Sequence, residues 1–182
     1  MSGPGLTFEL IGGPQAASHE DELLAVRADV YGQAGEPEAA RRFRVWRRQP
    51  GFVLAEARHG GYLVGYACGM PLRPSTSWWK ELTTPLPDET VAEHSGRTFA
   101  LTELLVRAAW RRQGIGRSLQ NLILGGRPEE RATLTVPPGA GPAQQAFRRY
   151  GWNKVARTRG PDPGTPVLDV LVMALPVARG LD

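Results

Sequence analysis

The chain has 182 residues, 41% of them hydrophobic and 22% charged, which suits one globular domain able to bury a core of its own. Its formal charge is +4, and 20 of its 22 basic residues are arginine, with lysine only at Lys80 and Lys154. That excess suits a phosphate-bearing ligand as well as it suits nucleic acid. The lone Cys68 makes no internal disulfide, which fits a reducing compartment. Met1–Gly5 leads into "LTFELI" without a basic flank or a long apolar run, and "VLDVLVMAL" is short and carries Asp169, so neither a signal peptide nor a membrane span is legible. The expectation is a cytoplasmic protein with no membrane partner, one domain over 1–182, with flexible tails at 1–5 and 177–182.

Leu6–Ile11 reads as a strand ended by Gly12, Gly13 and Pro14. Ser18, with Asp21 three residues on, predicts the start of a helix whose apolar positions are Leu23, Leu24, Val26, Val30 and Tyr31. A second helix begins near Glu36-Pro37 and turns Ala39, Phe43 and Trp46 to one face, leaving Arg41, Arg42, Arg44, Arg47 and Arg48 mostly outward. The strands "GFVLAEAR" and "YLVGYACGM" flank His59-Gly60-Gly61, a hairpin signal. A long proline-rich loop, 71–97, holds Trp78 and Trp79. Then follow a strand at Thr98–Val106, a helix at Gly114–Leu124, the strand "RATLTV", the helix "GPAQQAFRRY" and the strands "WNKVARTR" and "VLDVLVMAL". The order β-α-α-β-β-β-α-β-α-β-β predicts an α/β (α+β) fold with a single sheet of mixed direction and helices on its faces.

The stretch "LTELLVRAAWRRQGIGRSLQNLIL" carries the clearest chemistry. A strand hands over to a helix through a basic loop with Gly114 and Gly116, where bare backbone lets a ligand approach closely. The first turn of the helix offers unpaired N–H groups and a partial positive charge, and Arg111, Arg112 and Arg117 surround it. This is an anion site built mostly from backbone, suited to a pyrophosphate. Leu119 stands where a dinucleotide fingerprint needs its third glycine, and the loop lacks the Gly-Lys-Ser/Thr of a P-loop.

With Arg111, Gly114 and Gly116 in the pattern Gln/Arg-x-x-Gly-x-Gly/Ala between strand and helix, the chain resembles the GCN5-related N-acetyltransferases (GNAT). "ATLTVPPGAGPAQQAFRRYGW" is similar to that family's next strand and helix, with Ala143, Gly151 and Trp152 in step, while Ala140 and Phe147 stand at its Asn and Tyr positions. The resemblance implies a GNAT-like, mostly antiparallel sheet and acetyl-CoA as co-substrate, with no metal. The pyrophosphate would sit on the amides of Gln113, Gly114, Ile115 and Gly116, with Arg111, Arg112, Arg117 and Ser118 as further cofactor-binding residues. Backbone of Leu104, Leu105 and Val106 would pair with the pantetheine and polarise the thioester. The implied function is transfer of acetyl from acetyl-CoA to an amine of a small molecule or peptide by direct attack on the thioester.

An attacking amine has to lose a proton, and Glu103, on the strand expected to line the cleft, is the candidate base; the alternative is a solvated or salt-bridged strand carboxylate. Phe147 lacks the family's acidic hydroxyl, so Tyr150 and solvent are the candidates to protonate the thiolate, with a core tyrosine the competing reading of Tyr150. Trp78 and Trp79 read either as an aromatic wall over the acceptor or as a plug anchoring the loop, where Glu81, Asp88, Glu89 and Glu93 add acid with no basic residue between 81 and 93. Cys68 reads as a buried strand thiol, and His19, His59 and His94 lack ligand spacing, so no metal site is expected. His94 is either a substrate contact or an exposed loop histidine. Two further functions stay open: an acyl-CoA-binding regulator of the same fold without turnover, and, weakest because no recognition motif accompanies the Arg41–Arg48 cluster, a basic nucleic-acid-binding module. A homodimer is equally open.

Overall fold

The computed structural model describes residues 5–160, 164 and 166–176; apart from Gly5, the expected flexible tails lie outside them. Seven strands form one hydrogen-bonded sheet in the order β1-β2-β3-β4-β5-β7-β6. They are β1 (Leu6–Gly12), β2 (Val53–His59), β3 (Tyr62–Pro71), β4 (Thr98–Val106), β5 (Arg131–Val136), β6 (Asn153–Thr158) and β7 (Leu168–Ala174). The helices are α1 (Gly13–Ala16), α2 (Glu20–Tyr31), α3 (Glu36–Trp46), α4 (Asp88–Val91), α5 (Ile115–Leu124) and α6 (Gly141–Arg149). β4 and β5 run parallel, as the helical crossover between them requires, whereas β1–β2, β2–β3, β5–β7 and β6–β7 are antiparallel. The mixed α/β architecture and its mostly antiparallel sheet agree with the expectation from the sequence. By its contacts the chain falls into two compact units, Met1–Met70 with Leu101–Gly125 and Pro71–Ala100 with Gly126–Asp182, and the break falls within β4.

In the first unit, Gly60 and Gly61 take positive φ (55° and 84°) and close the β2–β3 hairpin. Its register sets Glu56 opposite Tyr66 and Leu54 opposite Cys68, so these four share a face. Leu23 and Val26 of α2 and Phe43 of α3 pack into one core with Leu54, Tyr66, Cys68 and Leu105. Ala55, Ala57 and Ala67 are buried on the opposite pleat, and α5 packs along β1 and β2. Gly65 lets β3 and β4 meet closely: a Cβ there would stand 2.8 Å from the Leu105 carbonyl oxygen. The first helix does not begin as the sequence predicts. Pro14 already sits in the first turn of α1, a 3₁₀ turn follows at Ala17–His19, and the Ser18 hydroxyl donates back to the Gln15 carbonyl at 2.9 Å instead of capping α2.

In the second unit the proline-rich loop is tied down. Leu82 bridges Thr158, Thr83 N–H donates to the Arg157 carbonyl, and Arg159 N–H donates to Glu81. The Glu93 side chain is 1% exposed, and its Oε1 accepts from Trp79 Nε1 (2.9 Å), Thr98 Oγ1 (2.7 Å) and Arg131 Nη2 (2.9 Å). Arg131 also lies 5.0 Å over the Trp79 ring. Trp79 packs with Ala156 and Val170, and Trp78 is half-buried against the same cluster. Glu93 is therefore a buried acceptor and not part of an acidic surface.

Removing one partner of a buried charge pair typically costs about 3 kcal/mol or more. Glu93→Ala is expected to lower stability by about that amount in urea unfolding, because it strands Arg131 and the Trp79 N–H. An unchanged unfolding midpoint would show that the loop is not held this way.

Candidate functional site

β4 ends at Val106, and the next residue is pinned. Arg107 N–H donates to the Val64 carbonyl (2.9 Å), its Nε donates to Leu63 (2.9 Å), and its guanidinium pairs with Asp29 and lies 4.7 Å over the Tyr62 ring. A 3₁₀ turn, Ala108–Trp110, carries the chain to Arg111, whose Nε donates to the Val106 carbonyl at 3.0 Å. Arg112 has φ 64°, a left-handed conformation that only a few per cent of non-glycine residues adopt. Gly114 has φ 81° and is the N-cap of α5. No atom lies within 4 Å of a Cβ built there, so backbone torsion, and not crowding, is what asks for glycine.

The first helical hydrogen bond of α5 is Ser118 N–H to the Gly114 carbonyl, 3.0 Å. The N–H groups of Ile115, Gly116 and Arg117 therefore precede the helical ladder. Arg111, Arg112, Gln113, Gly114, Arg117 and Ser118 are exposed, while the Ile115 side chain is buried with Leu119, Ile123 and Leu124 and fixes the first turn to the core. Of the sequence-predicted cofactor residues, Ile115 thus has only its backbone available. Leu104 and Val106 are half-buried, and Leu105 is buried in the α2/α3-side core. The helix end, its dipole and three exposed arginines gather N–H donors and positive charge at this turn.

Glu103 shares its face of β4 with Leu105. Its carboxylate is taken at both oxygens: Arg27 Nη1 of α2 donates to Oε1 at 2.5 Å, and the Tyr66 hydroxyl of β3 donates to Oε2 at 2.5 Å. The Arg27 guanidinium carbon lies 4.9 Å from the centre of the Tyr31 ring. Tyr66 is 2% exposed, and burial, followed by the nearby Glu103 charge, pushes its phenol well above the ordinary value. Burial and Glu103 push the Cys68 thiol up as well. The carboxylate expected to act as a base is therefore in place but occupied. Sequence reasoning missed Arg27 and Tyr66; the only signals were a lone arginine among the apolar positions of α2 and a tyrosine in step with Cys68 on β3.

Tyr150 closes α6 in the second unit, its N–H donating to Ala146 (3.0 Å), and Phe147 packs edge-on to Trp152 at 6.1 Å. The histidines have separate partners: His19 with Glu56 (2.7 Å), His94 with Glu130 (3.4 Å) and His59 against Trp110 (4.9 Å). Among the described residues no group of three His, Cys, Asp or Glu could hold a metal, and no helix is long and apolar enough to cross a membrane. In the arginine cluster, Arg41 pairs with Glu38 and Arg44 with Glu20, so two of its members spend charge on the protein's own acids.

The model of the acetyltransferase (GNAT) family matches residues 20–152. The chain is 29% identical over 93 residues to the GCN5-like protein acetyltransferase Rv2170 of Mycobacterium tuberculosis; the match covers 48% of this chain and 45% of that protein, less than half its length. Solved structures share the fold at low identity. A GNAT-family protein of Desulfovibrio desulfuricans superposes with TM-score 0.67 at 15% identity, covering 93% of this chain and 98% of the other. Arabidopsis thaliana NAA60, solved with a bisubstrate analogue, gives 0.65 at 17%, covering 94% and 99%. The ribosomal-protein-S18-alanine N-acetyltransferase of Escherichia coli gives 0.61 at 14%, covering 97% of each chain.

Because the folded state holds the Tyr66 and Cys68 protons longer than the unfolded chain does, both groups stabilise the fold below their ordinary pKa values and lose that contribution above them. Stability is expected to fall once pH passes about 8.5 for the thiol and about 10 for the phenol, by up to about 1.4 kcal/mol per pH unit for each group. Urea unfolding between pH 7 and 11 measures the slope, and Tyr66→Phe and Cys68→Ala should each flatten it. Slopes equal to that of the native chain would contradict the burial of these groups.

Proposed function

Because the chain belongs to the GNAT family of acetyltransferases, we propose that it is an N-acetyltransferase carrying the acetyl group of acetyl-CoA to an amine by direct attack on the thioester. The observation that carries this reading is the start of α5: a left-handed Gly114 cap, three amides ahead of the helical ladder and outward Arg111, Arg112 and Arg117. That donor set matches a pyrophosphate in charge and in hydrogen-bonding sense. In this reading the amides of Gly114–Arg117 hold the pyrophosphate. Backbone of Leu104–Val106 receives the pantetheine and donates to the thioester oxygen, an interaction typically worth about 3 kcal/mol of barrier.

Glu103 acts as the base. A lysine-like amine, with a pKa of about 10.4, costs about 4–5 kcal/mol to deprotonate at pH 7, whereas a peptide α-amine near 8 costs about 1. The need for a base therefore depends on the acceptor. Tyr150 or water protonates the departing thiolate, which needs little help. The acceptor is an amine of a small molecule or a peptide, in keeping with the protein and alanine acetyltransferases among the similar proteins. The packing of Phe147 where the family has an acidic tyrosine favours a second reading, an acyl-CoA-binding regulator without turnover.

Titration calorimetry with acetyl-CoA, followed by thiol release with a panel of amines and peptides, separates the two. Binding with acceptor-dependent release supports the enzyme; binding with no release across the panel supports the regulator. Gly114→Asp, which sets a negative charge among these donors, is expected to abolish acetyl-CoA binding while lowering stability by only about 1 kcal/mol, the cost of a side chain at positive φ. Normal binding by that variant would refute the placement of the pyrophosphate. Glu103→Gln is expected to lower kcat about 10²–10⁴-fold with acetyl-CoA affinity retained.

A further inference from the structure

Oε1 of Glu103 accepts from Arg27 and Oε2 from Tyr66, each at 2.5 Å, so a proton donor reaching this carboxylate has to share an oxygen with one of them. The two donors are not equally available to a ligand. Tyr66 is a buried residue of a strand face, 2% exposed. The Arg27 side chain is 22% exposed, against 12% for Glu103, and its guanidinium is stacked on Tyr31, which is 57% exposed. Arg27 and Tyr31 are therefore more accessible to solvent than Glu103. Pulling Arg27 away without compensation leaves a partly buried guanidinium unpaired, which is costly. A carboxylate on the incoming molecule removes that cost, because it offers the guanidinium an anionic oxygen in place of the one it gives up, and a second for its other donors. A bare cationic amine offers it nothing and is repelled by it.

We propose that Arg27 is the receptor for a carboxylate carried by the acceptor, and that its capture releases Glu103 Oε1 to take the ammonium proton. The proposal rests on the acetyl-transfer reading above and deepens it by naming the substrate class. Since Arg27 Nη1 and Glu103 Oε1 are 2.5 Å apart, one small molecule must place its carboxylate and its amine within a few bonds of each other. Free α- and β-amino acids meet that requirement, and Tyr31 offers an aromatic surface beside them. The ammonium nitrogen gives one proton to Glu103, and its freed electron pair forms the C–N bond at the thioester carbon. The C–S bond breaks with its pair on sulfur. The nitrogen's second proton ends on the thiolate, Glu103 passes the first to water, and the products are an N-acetyl amino acid and the free thiol. Arg27 is a specificity residue in this scheme, and Tyr66 holds the base in place throughout.

The test compares amino acids, each against its own carboxamide, in two assays: thiol release from acetyl-CoA, and calorimetric titration of the CoA-saturated protein. The carboxamide has the amine that is easier to deprotonate, so intrinsic reactivity works against the expected result. The native protein is expected to favour the amino acid about tenfold or more in kcat/KM and in affinity. Arg27→Gln should erase that preference in both assays and raise turnover of carboxamides, because Glu103 is then free, while acetyl-CoA affinity stays unchanged. Arg27→Lys, which keeps the charge without the fork, should retain part of the preference and shows that loss in Arg27→Gln is not misfolding. Carboxamides used as well as amino acids by the native protein, or a preference that survives Arg27→Gln, overturns the proposal. A protein that binds acetyl-CoA but acetylates no amino acid overturns it alone; a protein that does not bind acetyl-CoA overturns the acetyl-transfer reading and this proposal with it.

Discussion

A carboxylate set into the face of a strand has to be satisfied where it stands, and Glu103 imposes that constraint on the first unit. Its two oxygens require two donors, and β3 and α2 each deliver one, Tyr66 and Arg27. Satisfying it decides much else. Tyr66 must lie on the core face of β3, which sets Glu56 and Cys68 on that face as well. α2 must run with Arg27 toward the sheet, which brings Tyr31 to the same place. Burial first, and the neighbouring Glu103 charge second, make Tyr66 and Cys68 hard to ionise. One side chain thus couples packing, electrostatics and the proposed chemistry.

The anion site obeys a different kind of constraint, a local one. A helix that starts on a left-handed residue must expose its first amides, and Ile115 turns the opposite side of that turn into the core, so the amides are held still. Pinning of Arg107 by β3 carbonyls and Asp29 fixes the other end of the loop. In the loop between them Arg111 donates its Nε to the Val106 carbonyl, and Arg111 and Arg112 are exposed.

A long proline-rich loop with two adjacent tryptophans and several acids looked from its composition like either a lid or an anchored segment. In the second unit Glu93 Oε1 accepts from Trp79, Arg131 and Thr98, which ties the loop to the strands through Trp79. An acid counted as surface charge proves to be a structural acceptor. The partners that make it so sit on β4 and β5, which no reading of the loop by itself could supply.

Much of the architecture was legible because it is encoded by neighbours in the chain. The sequence marks β4 and β5 to the residue, Glu36-Pro37 marks the start of α3, and Gly114 marks the strand-to-helix turn. The start of α2 was misjudged for a related reason: Ser18 had a closer acceptor in Gln15, and Pro14 had already begun a helical turn. The family likeness, too, is carried by spacing along the sequence. Pairing across the fold was not legible. Arg27 and Tyr66 stand 76 and 37 residues from Glu103, and nothing near Glu103 announces either. The sequence by itself determined the order of elements and the backbone torsions of the turn, since these depend on adjacent residues. Only the tertiary structure decided which donors Glu103 would meet and which aromatics would be buried, since that depends on strand register and helix placement.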